Sequence, residues 1–533
     1  MEINFKDKVV LVTGASAGIG EAIAILFAKY GATLALVGRN EENLNRVAEK
    51  CESEKGVRAL RIVADLGTDE GCERTANDTL KRFGRLDVLI NNAGIVARTS
   101  ILYTDMKTFD DIFNTDVRGV YNLTRLLVPA LIESKGNIVN ISSISGTAVA
   151  VGSLPYSMAK AALDHFTRLI ALELGPMGVR VNTVSPGVTV SKLVQRQVNF
   201  TDEEYQAWLQ ESSKKIPMGE VCLGEDIAKM VVHVASDNCR LFYKINCLSY
   251  IIAWILRQII DKNTMEFNFK NKVVLVTGAS AGIGESTALL FAKHGAKLAL
   301  VGRNEKNLQE VADKCEKEKG VKALAIVADL GTDDGCEKTA RETLNHFGRL
   351  DVLVNNAAVG ARTNIMLANM ETFDKVFNVN IRGVYNLTRL LVPALIESKG
   401  NIVNVSSIMA TMVTTGNLPY SLSKAALDHF SRLLAYELAP KGVRVNVVSP
   451  GITVSTFVQR LTGYTDDEYQ AWLKTAEATI PMKKACTGED CANMIVFLAS
   501  DKCPLVSGTT VPVDGALQFA GSGNSEILKE QVK

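Results

Sequence analysis

The chain has almost no excess of charge of either sign. Its 59 Lys and Arg stand against 58 Asp and Glu, a formal net charge of +1. A protein that grips nucleic acid through its phosphates shows a basic excess or stripe, so the balance argues against that class of partner. The ten cysteines include no C-x-x-C pair. Neither a zinc site nor a redox dithiol is indicated, and no metal is expected. Scattered thiols of this kind read as reduced, in a cytoplasmic protein. A membrane span needs about 20 apolar residues, whereas the apolar stretch from Ile245 to Leu256 counts 12 between Lys244 and Arg257. A linker or substitute edge strand is the expectation there, and a membrane partner is not. The opening MEINFKDK is polar and gives no secretory signal. The closing EQVK is neither a peroxisomal nor an ER-retention address.

What is there is there twice. VVLVTGASAGIG runs from Val9 to Gly20 and again from Val273 to Gly284, and YSMAK (Tyr156 to Lys160) returns as YSLSK (Tyr420 to Lys424). The offset of 264 also joins Trp208 to Trp472 and Cys239 to Cys503. So long a gapless register signifies a duplicated domain rather than a short structural repeat. The expected organisation is a first domain over 1–240, an apolar linker over 241–264, a second domain over 265–520 and a tail over 521–533. After Cys503 the second copy continues PLVSGTTVPVDG, which reads as a last strand and its turn; the first runs RLFYKINCLSYIIAWILRQIIDKNT and restarts at Met265. That segment is a linker, or the seam of two joined coding units.

Within each copy short unbroken apolar runs alternate with amphipathic stretches. VVLVTG, TLALVG, ALRIVAD, LDVLINNAG, GNIVNIS and VRVNTVSPG read as strands of a parallel sheet covered on both faces. EAIAILFAKYGA reads as a helix closed by Gly31. The alternation predicts an α/β fold of two doubly wound parallel sheets in tandem, with right-handed crossovers, the first lacking its last strand.

The glycines Gly14, Gly18 and Gly20, repeated as Gly278, Gly282 and Gly284, fall in a strand–turn–helix. Such a turn lets a pyrophosphate approach the backbone at a helix N-terminus, so the segment predicts a dinucleotide site. Ser16 and Ile19, with Ser280 and Ile283, lie in the same turn. A carboxylate at the end of the second strand would hold a ribose 2′-hydroxyl; Arg39 and Arg303 stand there instead, which favours NADP(H) over NAD(H). Tyr156 and Lys160 are at i, i+4 and share a helix face, as do Tyr420 and Lys424. A nearby ammonium favours phenolate, making a tunable proton donor or acceptor.

These residues, with Asn91 to Gly94, Ser143 and Ser185 to Gly187, resemble in kind and order the short-chain dehydrogenase/reductase family, over almost all of both copies. Within it the chain is similar to 3-oxoacyl-carrier-protein reductase-like and tropinone reductase-like members. The resemblance implies a Rossmann-type fold and reversible reduction of a small carbonyl substrate. Tyr156 and Tyr420 would transfer the proton, Ser143 and Ser407 position the carbonyl, and Lys160 and Lys424 lower the tyrosine pKa and bind the nicotinamide ribose. It also implies adenine contacts from Asp65 and Asp329, and further cofactor contacts from Asn92, Ala93, Gly94, Pro186 and Gly187, and from Asn356, Ala357, Pro450 and Gly451. The copies would pack on one another as subunits of that family do, with a homo-oligomer as a further arrangement. The family's asparagine matches Asn380, but Asp116 stands there in the first copy, and Ala358 replaces Gly94. Copy 2 is therefore expected to carry most of the activity. The alternative is a cofactor-binding scaffold with copy 1 as a structural partner. His165 and His429 read as structural; Trp208 and Trp472 either line a pocket or anchor lid helices.

Overall fold

A computed structural model describes residues 3–55, 59–149, 152–191, 194–195, 200–214, 220–236, 267–319 and 322–519. The chain divides into two compact units, each described by itself. The expected linker and tail, and Cys239, lie outside the described residues.

In the first unit six strands, β1 (Val9–Thr13), β2 (Thr33–Gly38), β3 (Leu60–Val63), β4 (Val88–Asn91), β5 (Asn137–Ile141) and β6 (Arg180–Val184), form one parallel sheet in the order β3-β2-β1-β4-β5-β6. In the second, β7 (Val273–Thr277), β8 (Lys297–Gly302), β9 (Leu324–Val327), β10 (Val352–Asn355), β11 (Asn401–Val405), β12 (Arg444–Pro450) and β13 (Thr510–Val513) form a seven-stranded sheet in the order β13-β12-β11-β10-β7-β8-β9. Each apolar run read from the sequence is a strand. β13 is the strand expected from VSGTTVPVDG, and its first-copy counterpart positions lie outside the described residues.

The core follows from the runs being apolar on both faces. Val10, Val12, Ile90 and Val139 pack under Ile23, Ala24 and Phe27 of the helix Gly18–Lys29 and under Ile227, Val231 and Val232 of Gly224–Ala235. Val274, Val276, Val354 and Val403 do the same with Phe291, Ile495 and Val496. Each large side chain so buried contributes about 1.5–3 kcal/mol. Gly31 follows the cap of its helix at φ +84°, where its N–H reaches the Ala28 carbonyl at 2.9 Å.

The order reverses between β1 and β4, and between β7 and β10. In an open parallel sheet a ligand crevice opens beyond the strand ends at such a switch point. The glycine turn, the Asn-Asn-Ala segment and the serine after β5 all leave the sheet there.

Candidate active site

Gly14 (φ +63°) and Gly18 (φ +59°) occupy backbone conformations that side chains disfavour. A Cβ on Gly20 would lie 2.2 Å from the Gly14 carbonyl oxygen, so the helix can start against the strand only with glycine there. Gly278, Gly282 and Gly284 repeat the arrangement, with 2.1 Å at the last. Ala17 and Ala281, the residues before the two helices, provide no side-chain cap, and the first-turn N–H groups remain available to an anion. This bare cradle fits a pyrophosphate. Ser16 lies beneath Gly38, and Ser280 beneath Gly302. Arg39 and Asp65, at the ends of β2 and β3, pair at 3.6 Å, as do Arg303 and Asp329.

Asn92 pins the turn to β4. Its Nδ2 donates to the Thr13 carbonyl at 2.9 Å, and the Thr13 hydroxyl accepts the N–H groups of Asn92 (2.9 Å) and Ala93 (3.0 Å). Asn356, Ala357 and Thr277 repeat this. The threonines were not anticipated from the sequence, although each ends its first strand just before the first glycine.

Tyr156 begins the helix Leu154–Leu174 and Tyr420 the helix Leu418–Leu438; each follows a proline in the first turn, where a missing N–H costs nothing. Gly416, at φ +87°, turns the chain into the second of these. Ser143 and Ser407 cap short turns after β5 and β11, and each hydroxyl is near enough to its tyrosine to oppose the rise that burial causes. Lys160 and Lys424 lie one turn on, Nζ 5.4 and 5.6 Å from the tyrosine ring centres. Their ammonium groups donate to the last carbonyls of the strands, Ile141 at 3.2 Å and Val405 at 2.8 Å. The structure thus brings together the serine, tyrosine and lysine read from the sequence in both units.

The expected lowering of the tyrosine pKa is not the net result. Burial pushes Tyr420 up to about 12, against the Ser407 hydrogen bond. Tyr156 is also raised by burial, which outweighs the pull of Lys160. Burial drives Lys424 down to about 8, against the attraction of Asp428. Lys160, although burial opposes it, is raised by Asp116 and Tyr156.

Asp116 and Asn380 sit in π-helical turns, Asn114–Arg118 and Asn378–Gly383. Such bulges recur at functional sites because they redirect a side chain. Gly119 and Gly383 let these segments press against the Leu66 and Leu330 carbonyls, where a Cβ would fall at 2.1 and 2.0 Å. Asn380 Nδ2 donates to the Val359 carbonyl (2.9 Å) and the Ser423 hydroxyl (3.0 Å), and its Oδ1 accepts the Val359 N–H (2.8 Å). Asp116 Oδ1 accepts the Ile95 N–H at 2.8 Å, and its Oδ2 lies 3.1 Å from Lys160 Nζ, both groups buried.

Pro186 and Gly187 follow β6, and Pro450 ends β12 just before Gly451. The Pro186 carbonyl accepts the Ile144 N–H at 3.0 Å, and the Pro450 carbonyl receives the Ser407 hydroxyl at 3.5 Å. Phe457, on the helix Thr456–Thr462, sets its ring 5.9 Å from that of Tyr420. Trp208 and Trp472 stack on Tyr205 and Tyr469, and Trp472 joins an apolar cluster, which is the anchoring arrangement of the two weighed. His165 and His429 are fully buried, their Nδ1 atoms 3.0 and 3.1 Å from Arg168 and Arg432. Among the described residues no group of three or more potential ligands could hold a metal, and no helix is long and apolar enough to cross a membrane.

The sequence pattern of the family described as short chain dehydrogenase matches residues 8–201, and that described as enoyl-(acyl carrier protein) reductase matches residues 278–517. A 3-oxoacyl-[acyl-carrier-protein] reductase of Thermotoga maritima is 34% identical over 249 residues, 46% of this chain and 98% of that protein. A glucose 1-dehydrogenase of Gluconobacter oxydans is 37% identical over 255 residues, 48% of this chain and 94% of that one. A peroxisomal hydratase-dehydrogenase-epimerase of Neurospora crassa aligns with 91% of this chain at 27% identity, and the match spans 59% of its length. Two sheets of one topology, each ending at the same serine, tyrosine and lysine, and relatives covered nearly end to end by half of this chain lead to one assignment: the protein is an oxidoreductase of the short-chain dehydrogenase/reductase family, with two of the family's domains in tandem.

Proposed function

We propose that the chain interconverts a carbonyl and an alcohol with NADP(H), mainly in its second domain. The observation that carries this reading is the Ser407–Tyr420–Lys424 cluster at the mouth of the glycine cradle. A bound nicotinamide cofactor would supply the hydride. In the cradle, Gly278, Ser280, Gly282, Ile283 and Gly284 would receive the pyrophosphate, Asn356, Ala357, Pro450 and Gly451 the nicotinamide side, and Asp329 the adenine. Lys424 would hold the nicotinamide ribose. Ser407 positions the substrate oxygen. The Tyr420 hydroxyl, protonated at neutral pH like any phenol and more firmly so through burial, would give its proton to the substrate oxygen. In the reverse direction the phenolic oxygen takes the proton back.

Arg303 supports the choice of NADP(H). Its pair with Asp329 is half-exposed, and exposed pairs contribute about 0–1 kcal/mol. A hydrogen bond to a charged phosphate contributes about 1.5–3 kcal/mol, so the guanidinium gains by exchanging Asp329 for a 2′-phosphate. Arg39 is placed likewise. The test is kcat/KM for NADPH and NADH against a panel of ketones that begins with 3-oxoacyl thioesters, the substrate class in the name of the Thermotoga relative. Arg303→Asp should erase most of a preference for NADPH. Equal or better kcat/KM with NADH in the parent protein would overturn the assignment.

The domains are proposed to divide as 1–240 and 265–520, joined by 241–264. A small-molecule partner, and no nucleic acid, follows from the same reading.

A further inference from the structure

Three positions around the active-site lysine change together between the two units. The first has Gly94, Asp116 and Ala159; the second has Ala358, Asn380 and Ser423. The geometry makes them one device. In the second unit Asn380 spends its donor hydrogens on the Val359 carbonyl and the Ser423 hydroxyl, and Ser423 in turn donates to the Tyr420 carbonyl at 2.7 Å. Without the hydroxyl, one of those hydrogens would be buried and unpartnered. In the first unit Ala159 offers no acceptor, and Asp116 needs none: it takes one N–H and faces Lys160. A Cβ at position 94 would lie 3.0 Å from Asp116 Oδ2 and 3.3 Å from Lys160 Nζ, so glycine leaves room for the pair. The second unit carries the methyl at that position.

We infer that the trio acts as a selector of lysine charge: Gly94, Asp116 and Ala159 hold Lys160 in a buried ion pair, whereas Ala358, Asn380 and Ser423 leave Lys424 facing only neutral groups from the π-helical turn. Ser423 and Ala358 are positioning residues in this scheme, acting through Asn380. The remaining charged or titratable neighbours do not reproduce the difference. Tyr420 and Asp428 face Lys424 from its own helix, with Arg432 beside Asp428; Tyr156 and Asp164 face Lys160 from the corresponding positions. The strand ends offer only carbonyls and serine hydroxyls to both. Asp116 is the charged group that distinguishes the units, although burial raises its own carboxyl against the pull of Lys160. Lys424, near 8, therefore titrates where an enzyme operates, well before Tyr420, while Lys160 stays cationic. Two active sites on one chain would then have different alkaline limits.

This rests on the oxidoreductase reading above, and the test separates the two. The triple exchange Ala358→Gly/Asn380→Asp/Ser423→Ala is made in a Tyr156→Phe background, and the opposite exchange, Gly94→Ala/Asp116→Asn/Ala159→Ser, in a Tyr420→Phe background. The first reading is the pH profile of carbonyl reduction. The alkaline limb of the second site should move up by about one pH unit or more, since a carboxylate beside the lysine favours its charged form. The second reading needs neither cofactor nor turnover. Lys424 is lowered in the folded state relative to about 10.4 in the unfolded chain, so between roughly pH 8 and 10 the unfolded state holds more protons and stability rises with pH. The first exchange should remove that rise from the urea midpoint of the second domain, and the opposite exchange should add one to the midpoint of the first. Should one exchanged protein not fold, the other decides the matter. Unchanged limbs with an unchanged midpoint slope would overturn the inference. Absence of turnover in the Tyr156→Phe parent would instead overturn the assignment of activity to the second domain, leaving the midpoint to decide this one.

Discussion

In the proposed reaction Tyr420 gives its proton from a largely desolvated position. Burial holds the hydroxyl protonated but makes it a weaker acid, so transfer depends on an acceptor oxygen that is gaining negative charge. Tyr420→Phe removes that proton and nothing else, so second-site turnover should fall by about 10²–10⁴, the usual range for a positioned acid, while NADPH affinity stays close to the parent's. Fluorescence titration beside steady-state kinetics checks this; full activity in Tyr156→Phe/Tyr420→Phe would reject the tyrosine role. At this scale much was legible. The i, i+4 spacing put tyrosine and lysine on one helix face, and the aspartate at 116 was visible as a charge near Lys160. The net direction of the tyrosine shift was not legible, because burial is a property of the packed helix and not of the spacing. Ser423 was also missed. Its role depends on a π-helical turn 43 residues away in sequence, though comparing SMAK with SLSK would have shown the change.

At the scale of elements, the short helix Thr456–Thr462 roofs the second site. Phe457 stands over Tyr420, and a Cβ on Gly360 would lie 2.9 Å from the tip of its ring. The first copy has Val96 at the position of Gly360. Gly360→Val should therefore displace the roof, raising KM for a bulky ketone several-fold with a smaller change in kcat. A KM equal to the parent's would mean that Phe457 does not border the substrate. The strands themselves were legible because a parallel sheet covered on both faces demands unbroken apolar runs, and β1, β4, β7 and β10 have them. The π-helical turns were not, since FNTDVRG and FNVNIRG follow helical spacing and the bulge appears only when Gly119 and Gly383 press on their carbonyls.

At the scale of the whole molecule, duplication has left two sites with one plan. In the second, Gly451 after β12 donates its N–H to the Val513 carbonyl at 2.9 Å, and its Cα packs so closely on Asp514 that a Cβ would fall 2.7 Å from that side chain. Asp514 in turn accepts the N–H groups of Ala516 (2.9 Å) and Gln518 (2.8 Å), holding the turn that follows β13. The loop that would border the nicotinamide is thus fixed by a seventh strand. A firmly held loop favours turnover, since small misplacements of reacting groups lose large factors in rate. In the first site the Asp116–Lys160 pair engages the ammonium that the ribose would need. Tyr420→Phe should therefore remove most of the chain's activity at neutral pH, and Tyr156→Phe only a minor part. Measuring the two single variants on the same substrate and cofactor decides it: activity lost with Tyr156→Phe and retained with Tyr420→Phe would reverse the assignment and make the ion-paired lysine the effective one.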